Sequence, residues 1–150
     1  MKSIQPYIEH IRNSLWRTPG RGLVSVMVGA GFSRNSEPAV ADARQFPLWD
    51  ELALCMAAGI GLNKDNKPRD PLLIAQMYAA TLGAVELHRL IERQLPNSER
   101  RPGEIHRRLL SLPWADVFTT NYDTLLERTC DEVYDRRYER IISAVARIRS

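Results

Sequence analysis

The stretch that most constrains this chain is LVSVMVGAG at positions 23–31, an apolar and largely β-branched run that ends on two glycines. Leu23, Val24, Val26, Met27 and Val28 have the character of a strand buried on both faces, as in a parallel sheet. Glycines at the end of such a strand let a ligand come close to the backbone, and a dinucleotide's phosphates are the groups that profit most. The full G-x-G-x-x-G pattern is not completed, because Arg34 stands where its last glycine would be. Small residues also end strands merely to relieve crowding, so the turn alone leaves both readings open.

A strand covered on both faces needs helices, and the rest of the chain supplies them. Ile4, Ile8, Ile11 and Leu15 recur at helical spacing and predict an amphipathic helix up to Trp16 that could cover one edge of a sheet, closed by Thr18-Pro19-Gly20. Arg34 to Gln45 has little periodicity and reads mainly as a mobile loop, of the kind that closes over a ligand. A helix through Trp49, Leu52, Ala53 and Met56 follows, with Pro47 suited to its first turn and Gly59 and Gly61 at its end. Asn63 to Arg69 is a polar loop. Asp70-Pro71 opens a second helix towards Leu82, Val85 to Leu95 forms a third after Gly83, and Glu104 to Leu112 a fourth that stops at Pro113.

The remaining length and composition narrow the class. At 150 residues the chain has room for one core, and its net charge of +3 is spread among acidic residues rather than gathered into a basic run. Such a surface gives no footprint for nucleic acid. Cys55 and Cys130 lack the paired spacing of a zinc site, so no metal is expected. No apolar run reaches membrane-spanning length, and the polar N-terminus is unlike a secretion signal; both point to a reduced, cytoplasmic protein.

WADVFTTNYDTLLE at 114–127 is the second chemically informative stretch. Val117 to Thr120 reads as a strand and Thr124 onward as a helix, which places Asn121, Tyr122 and Asp123 at a strand's carboxyl end, where ligands of open α/β sheets bind. Asp123 is equally well read as the cap of the following helix, and Asn121 as a residue that tolerates a turn. If the two strands run parallel, the glycine turn and the Asn-Tyr-Asp turn share one edge, with helices forming the crossover.

GAGFS at 29–33, FPLWDEL at 46–52, HRRLLSLPW at 106–114 and FTTNYDTLLE at 118–127, in that order, resemble the SIR2-like domains of bacterial antiviral defence. The resemblance implies an α/β, Rossmann-like parallel sheet flanked by helices, with residues 1–22 as an N-terminal helix and connector and 23–150 as the Rossmann-like portion of one domain. It implies NAD as substrate, with Gly29, Ala30, Gly31, Phe32 and Ser33 along the pyrophosphate. Asn121 would orient the nicotinamide ribose and the attacking water, Asp123 would meet the nicotinamide carboxamide, and Thr119, Thr120 and Tyr122 would shape the pocket. The implied activity is NAD+ glycohydrolysis, which depletes the cell's NAD on activation. Implied partners are further copies in a homo-oligomer and a HerA-type ATPase or a short Argonaute.

The departures from the family pattern matter as much. The chain has no cysteine-rich zinc module, which argues against protein deacylation. The family's second catalytic residue, a histidine in a His-Gly motif, normally follows the Asn-Tyr-Asp turn, and here no histidine follows Asn121. His10, His88 and His106 read as surface or packing residues. The expectation is therefore the N-terminal part of a longer domain, incomplete at its C-terminus. The contrasting reading is a catalytically inactive module that binds NAD or ADP-ribose as a sensor or assembly scaffold.

Overall fold

The structure, a computed structural model, describes residues 6–17, 22–63 and 68–133. In chain order these form α1 (Pro6–Leu15), β1 (Val26–Val28), α2 (Ala30–Ser33), β2 (Glu37–Pro38), α3 (Trp49–Gly59), α4 (Pro71–Leu82), α5 (Ala84–Gln94), β3 (Arg100–Arg101), α6 (Glu104–Ser111), β4 (Val117–Thr119) and α7 (Leu125–Glu132). The fold is mixed α/β, with seven helices among the described residues and a small parallel pair of strands in place of the expected broad sheet. Residues 134–150, the C-terminal end of the expected Rossmann-like portion, lie outside the described residues.

β1 and β4 pair in parallel, Val26 against Val117, Met27 against Phe118 and Val28 against Thr119. The parallel alignment anticipated from the sequence therefore holds, and both strand ends open onto one edge. The expected double burial of 23–28 does not. Val28 is buried, whereas Leu23 and Met27 are exposed, and Phe118 beside Met27 is exposed too. Successive side chains of a strand point to opposite faces, so one face of the pair packs inward while Met27 and Phe118 share the other. α1 differs from expectation in the same way: of its apolar residues Leu15 is buried, and Tyr7, Ile8 and Ile11 are exposed.

The main core lies under the helices. Leu52, Ala53, Met56 and Ala57 of α3 meet Ile74, Ala75 and Tyr78 of α4 and Leu90 of α5. Burying a side chain the size of Met56 or Ile74 contributes roughly 1.5–3 kcal/mol. Helix starts are set locally. Asp70 Oδ1 accepts from Leu72 N at 2.9 Å while Pro71 fills the first turn. Gly83 ends α4 and begins α5 in one step, at φ +94°, a backbone conformation that glycine alone adopts without strain.

The segment 34–45, expected to be mobile, is instead tied down. β2 pairs antiparallel with β3, Glu37 against Arg101 and Pro38 against Arg100. The buried Arg100 guanidinium donates to the carbonyls of Ser36 (2.9 Å), Ala43 (3.3 Å) and Arg44 (2.6 Å). Arg44 in turn ion-pairs with Glu99 at 2.6 Å. The reason the sequence hid this is that a lone buried arginine can hold an aperiodic backbone as firmly as a ladder does, and nothing in residue spacing announces it.

Candidate active site

The glycine turn begins at the end of β1. Gly29 has extended backbone, and the chain then enters the short helix α2. A Cβ built on Gly29 or on Gly31 would meet nothing within 4 Å, so open space borders the turn. From the other strand, Thr119 Oγ1 donates to Val28 O at 3.1 Å and accepts from Asn121 N at 3.0 Å, which turns the chain after β4 back towards Gly29.

Asn121, Ser33 and Asp123 are thereby linked. Asn121 Nδ2 donates to Gly29 O (3.2 Å) and to Ser33 Oγ (2.9 Å), and Ser33 Oγ donates to Asp123 Oδ2 (2.6 Å). Both amide hydrogens of Asn121 are used. The reversed amide would set Oδ1 against the Gly29 carbonyl, acceptor against acceptor, so the orientation is fixed. Asn121 Oδ1 is left as a buried acceptor with no hydrogen-bond partner. An acceptor in that state costs about 1–3 kcal/mol as long as no donor meets it.

Asp123 combines both roles read from its position. Oδ1 accepts from Leu125 N at 3.1 Å, holding the start of α7, while Oδ2 takes the Ser33 hydroxyl. Thr124 N is held by Asn97 Oδ1 at 3.2 Å, a support from 27 residues away that no local pattern announces.

These groups line a cleft of about 240 Å³ with Gly29, Ala30, Thr120 and Tyr122, closed on its far side by Phe46, Pro47, Trp49, Leu52 and Leu95. Gly31 and Phe32 lie apart from the cleft wall. Phe32 turns inward and meets the fully buried His106 edge-on, ring centroids 4.8 Å apart. His106 is thus a packing residue at the back of the turn: its Nδ1 accepts from Gly103 N at 3.2 Å, and burial lowers its pKa below the usual histidine value, opposed by the nearby Asp123 carboxylate.

Arg34 explains the incomplete glycine pattern. Its Nε donates to Phe46 O at 3.2 Å, and its Nη2 pairs with Glu51, whose carboxylate also takes Leu48 N at 2.6 Å and holds the first turn of α3. Those two bonds hold Glu51's carboxyl below its usual pKa, the Leu48 amide contributing most. A glycine at position 34 would leave the opposite wall of the cleft without this tie. Sequence reasoning missed that wall, although FPLWDEL was visible, because only the third dimension places it across from the glycine turn.

The described residues define an α/β class of protein with a cleft at the carboxyl ends of two parallel strands, the edge at which ligands of open α/β sheets bind. Within that class, the chain is similar to the NAD(+) hydrolase ThsA of Enterococcus faecium, 31% identical over 116 residues, which amount to 76% of this chain. The chain spans 22% of the length of this curated relative. No family model matches the chain.

Proposed function

We propose that this chain carries the substrate pocket of an NAD+ glycohydrolase, which cleaves the bond between nicotinamide and ribose and yields nicotinamide and ADP-ribose. The observation that carries the reading is the chain of hydrogen bonds from the Gly29 carbonyl through Asn121 and Ser33 to Asp123, which locks the two strand ends into one polar corner. The distant likeness to an NAD(+) hydrolase supports it.

The chemistry asks little of a strong nucleophile. The pyridinium leaves with the bonding electron pair as neutral nicotinamide, an oxocarbenium-like centre develops on the ribose, and a water supplies the new C–O bond and releases its proton. What such a step needs is fixed dipoles and exclusion of bulk water. Asn121 orients the nicotinamide ribose and the attacking water, Asp123 is the acceptor for the carboxamide N–H, and Gly29 and Ala30 admit the phosphates closely. Ser33 lines that side of the cleft, Phe32 packs behind it against His106, and Thr120 and Tyr122 flank the reacting end. As with the defence effectors it resembles, activity would be switched on by assembly into an oligomer or with a partner protein, and would deplete NAD.

The test is nicotinamide release by the protein in its natural reading frame, beside Asn121→Ala. Asn121→Ala should reduce hydrolysis by a hundredfold or more, about the loss seen when one preorganised polar group is removed from an active site. Parental turnover in a folded Asn121→Ala protein overturns the assignment. NAD binding without turnover in the parent protein would instead make the pocket a sensor.

A further inference from the structure

His106 lies behind the glycine turn with no exposure to solvent. Its Nδ1 accepts from Gly103 N at 3.2 Å, so the proton of the neutral ring sits on Nε2, and Nε2 has no hydrogen-bond partner. A buried donor in that state is unfavourable, and a leucine or phenylalanine would fill similar space without it. What the imidazole offers instead is a grip on α2 at two points. Its ring meets Phe32 edge-on, and its Nδ1 fixes the Gly103 turn, whose backbone comes so close to Asn35 O that a Cβ there would stand 2.2 Å from it. Phe32 and Asn35 bracket Ser33. From that bracket Ser33 reaches forward to Asp123 at 2.6 Å and takes the Asn121 amide at 2.9 Å.

We infer that His106, in its neutral Nε2–H form, is a positioning residue of the candidate site, holding α2 from behind so that Ser33 keeps Asp123 and Asn121 in place, and that protonation of the ring releases this hold. The inference rests on the function proposed above and deepens it by naming a control on the same site. An imidazolium would carry its charge in a space with no acceptor at Nε2. Among the charged groups Asp123 acts on it most strongly, followed by Arg107 of its own helix, Glu132 of α7 and Glu37 of β2, while Arg34 at the end of α2 is engaged with Glu51. A cation drawn to Asp123 competes with the Ser33 hydroxyl for the same carboxylate. Burial lowers the pKa of the folded imidazole. The neutral form, and with it turnover, therefore persists to below the ordinary value of about 6.5 and is lost as pH falls through the lower folded one.

Nicotinamide release and melting temperature are compared in the protein in its natural reading frame, His106→Gln, His106→Leu, Ser33→Ala and the Ser33→Ala/His106→Leu double variant. His106→Gln can still accept from Gly103 N and should keep most of the parental turnover at neutral pH. His106→Leu should lower kcat by on the order of a hundredfold with KM little changed, the cost of a reacting geometry displaced by about 1 Å. The double variant should be no slower than Ser33→Ala, because both changes act through one hydroxyl. From about pH 7 down to about pH 5, kcat of the folded parent should fall more steeply than that of His106→Gln. Hydrogen exchange at Leu125 N, which donates to Asp123 Oδ1, reads the same displacement without catalysis and should quicken in His106→Leu. Multiplied losses in the double variant, equal pH profiles in the parent and His106→Gln, or unchanged exchange at Leu125 each overturn the inference, since a residue that only fills space gives those results. If His106→Leu does not fold, the pH profile of His106→Gln decides. A parent that releases no nicotinamide overturns the NAD reading instead, and exchange at Leu125 then decides the role of His106 by itself.

Discussion

Ser33 is the residue on which the site turns, and its importance is invisible in a one-dimensional pattern. Its hydroxyl is buried and gives its proton to Asp123 while accepting from Asn121, so it joins groups that lie 90 and 88 residues away. Ser33→Ala keeps the helix-forming backbone but leaves both partners short of a bond, at a cost of about 1–3 kcal/mol. Both Asn121 and Asp123 should then lose their fixed orientation. We expect a lower melting temperature and hydrolysis reduced nearly as far as in Asn121→Ala; full activity in Ser33→Ala would mean that Asn121 is held by Gly29 alone. Asp123→Ala removes the acceptor for Leu125 N together with the Ser33 contact, and should lower stability by roughly 1 kcal/mol through the lost cap as well as reduce activity. Thermal melts of the two alanine variants, Asn121→Ala and Asp123→Ala, check the contrast: Asn121→Ala loses the bonds to Gly29 O and Ser33 Oγ but also removes the unpaired buried Oδ1, two effects that offset each other, so its melting temperature should fall less than that of Asp123→Ala.

At the level of elements, the helices were legible because their signals are local. Asp70-Pro71 starts α4, Gly83 separates α4 from α5, and the apolar spacing of α3 names the residues that reach the core. The parallel pairing of β1 and β4 was legible for a related reason, since each strand ends in a recognisable turn. What could not be read is whatever depends on one side chain reaching far from its own element. Arg100 is the main case, with its guanidinium spread over three carbonyls of the 36–44 segment. Arg100→Met should cost on the order of 3 kcal/mol, because three bonds from a charged donor are lost and the buried contact with Ser36 O is left unpaired. Hydrogen exchange at Ala39, whose N–H is bonded to Glu99 O at 2.8 Å, should quicken markedly in the same variant. Unchanged exchange there would return the segment to the mobile loop that its composition suggests. Gly103 gives a second, purely steric case at the end of β3: a Cβ would sit 2.2 Å from Asn35 O, so Gly103→Ala should be destabilised by about 1–3 kcal/mol on denaturant titration even though its φ of −95° suits any residue.

For the molecule as a whole, the site depends on few strands but on a closely filled back wall. Two short parallel strands are enough to bring Gly29 and Asn121 together, while Phe32, His106 and the Gly103 turn fill the space behind them. His106 therefore couples the stability of the entire domain to pH. Its burial disfavours the imidazolium and lowers its pKa, the neighbouring Asp123, Glu132 and Glu37 carboxylates only partly offset this, and Arg107 adds to it. In the unfolded chain the same group titrates near its ordinary value of about 6.5. Between that value and the lower folded one, the unfolded chain binds a proton that the folded protein does not, so the equilibrium moves towards unfolding as pH falls. The contribution is complete above about pH 6.5 and declines below it. His106→Gln supplies a non-titrating side chain whose amide oxygen can still accept from Gly103 N. Melting temperatures followed from about pH 7 down to about pH 5 should fall more steeply in the parent than in His106→Gln, the range in which histidine alone changes charge at its ordinary pKa. Parallel slopes would show that the imidazole takes up its proton as readily in the folded domain as outside it, and that the wall behind the glycine turn yields to a charge without unfolding.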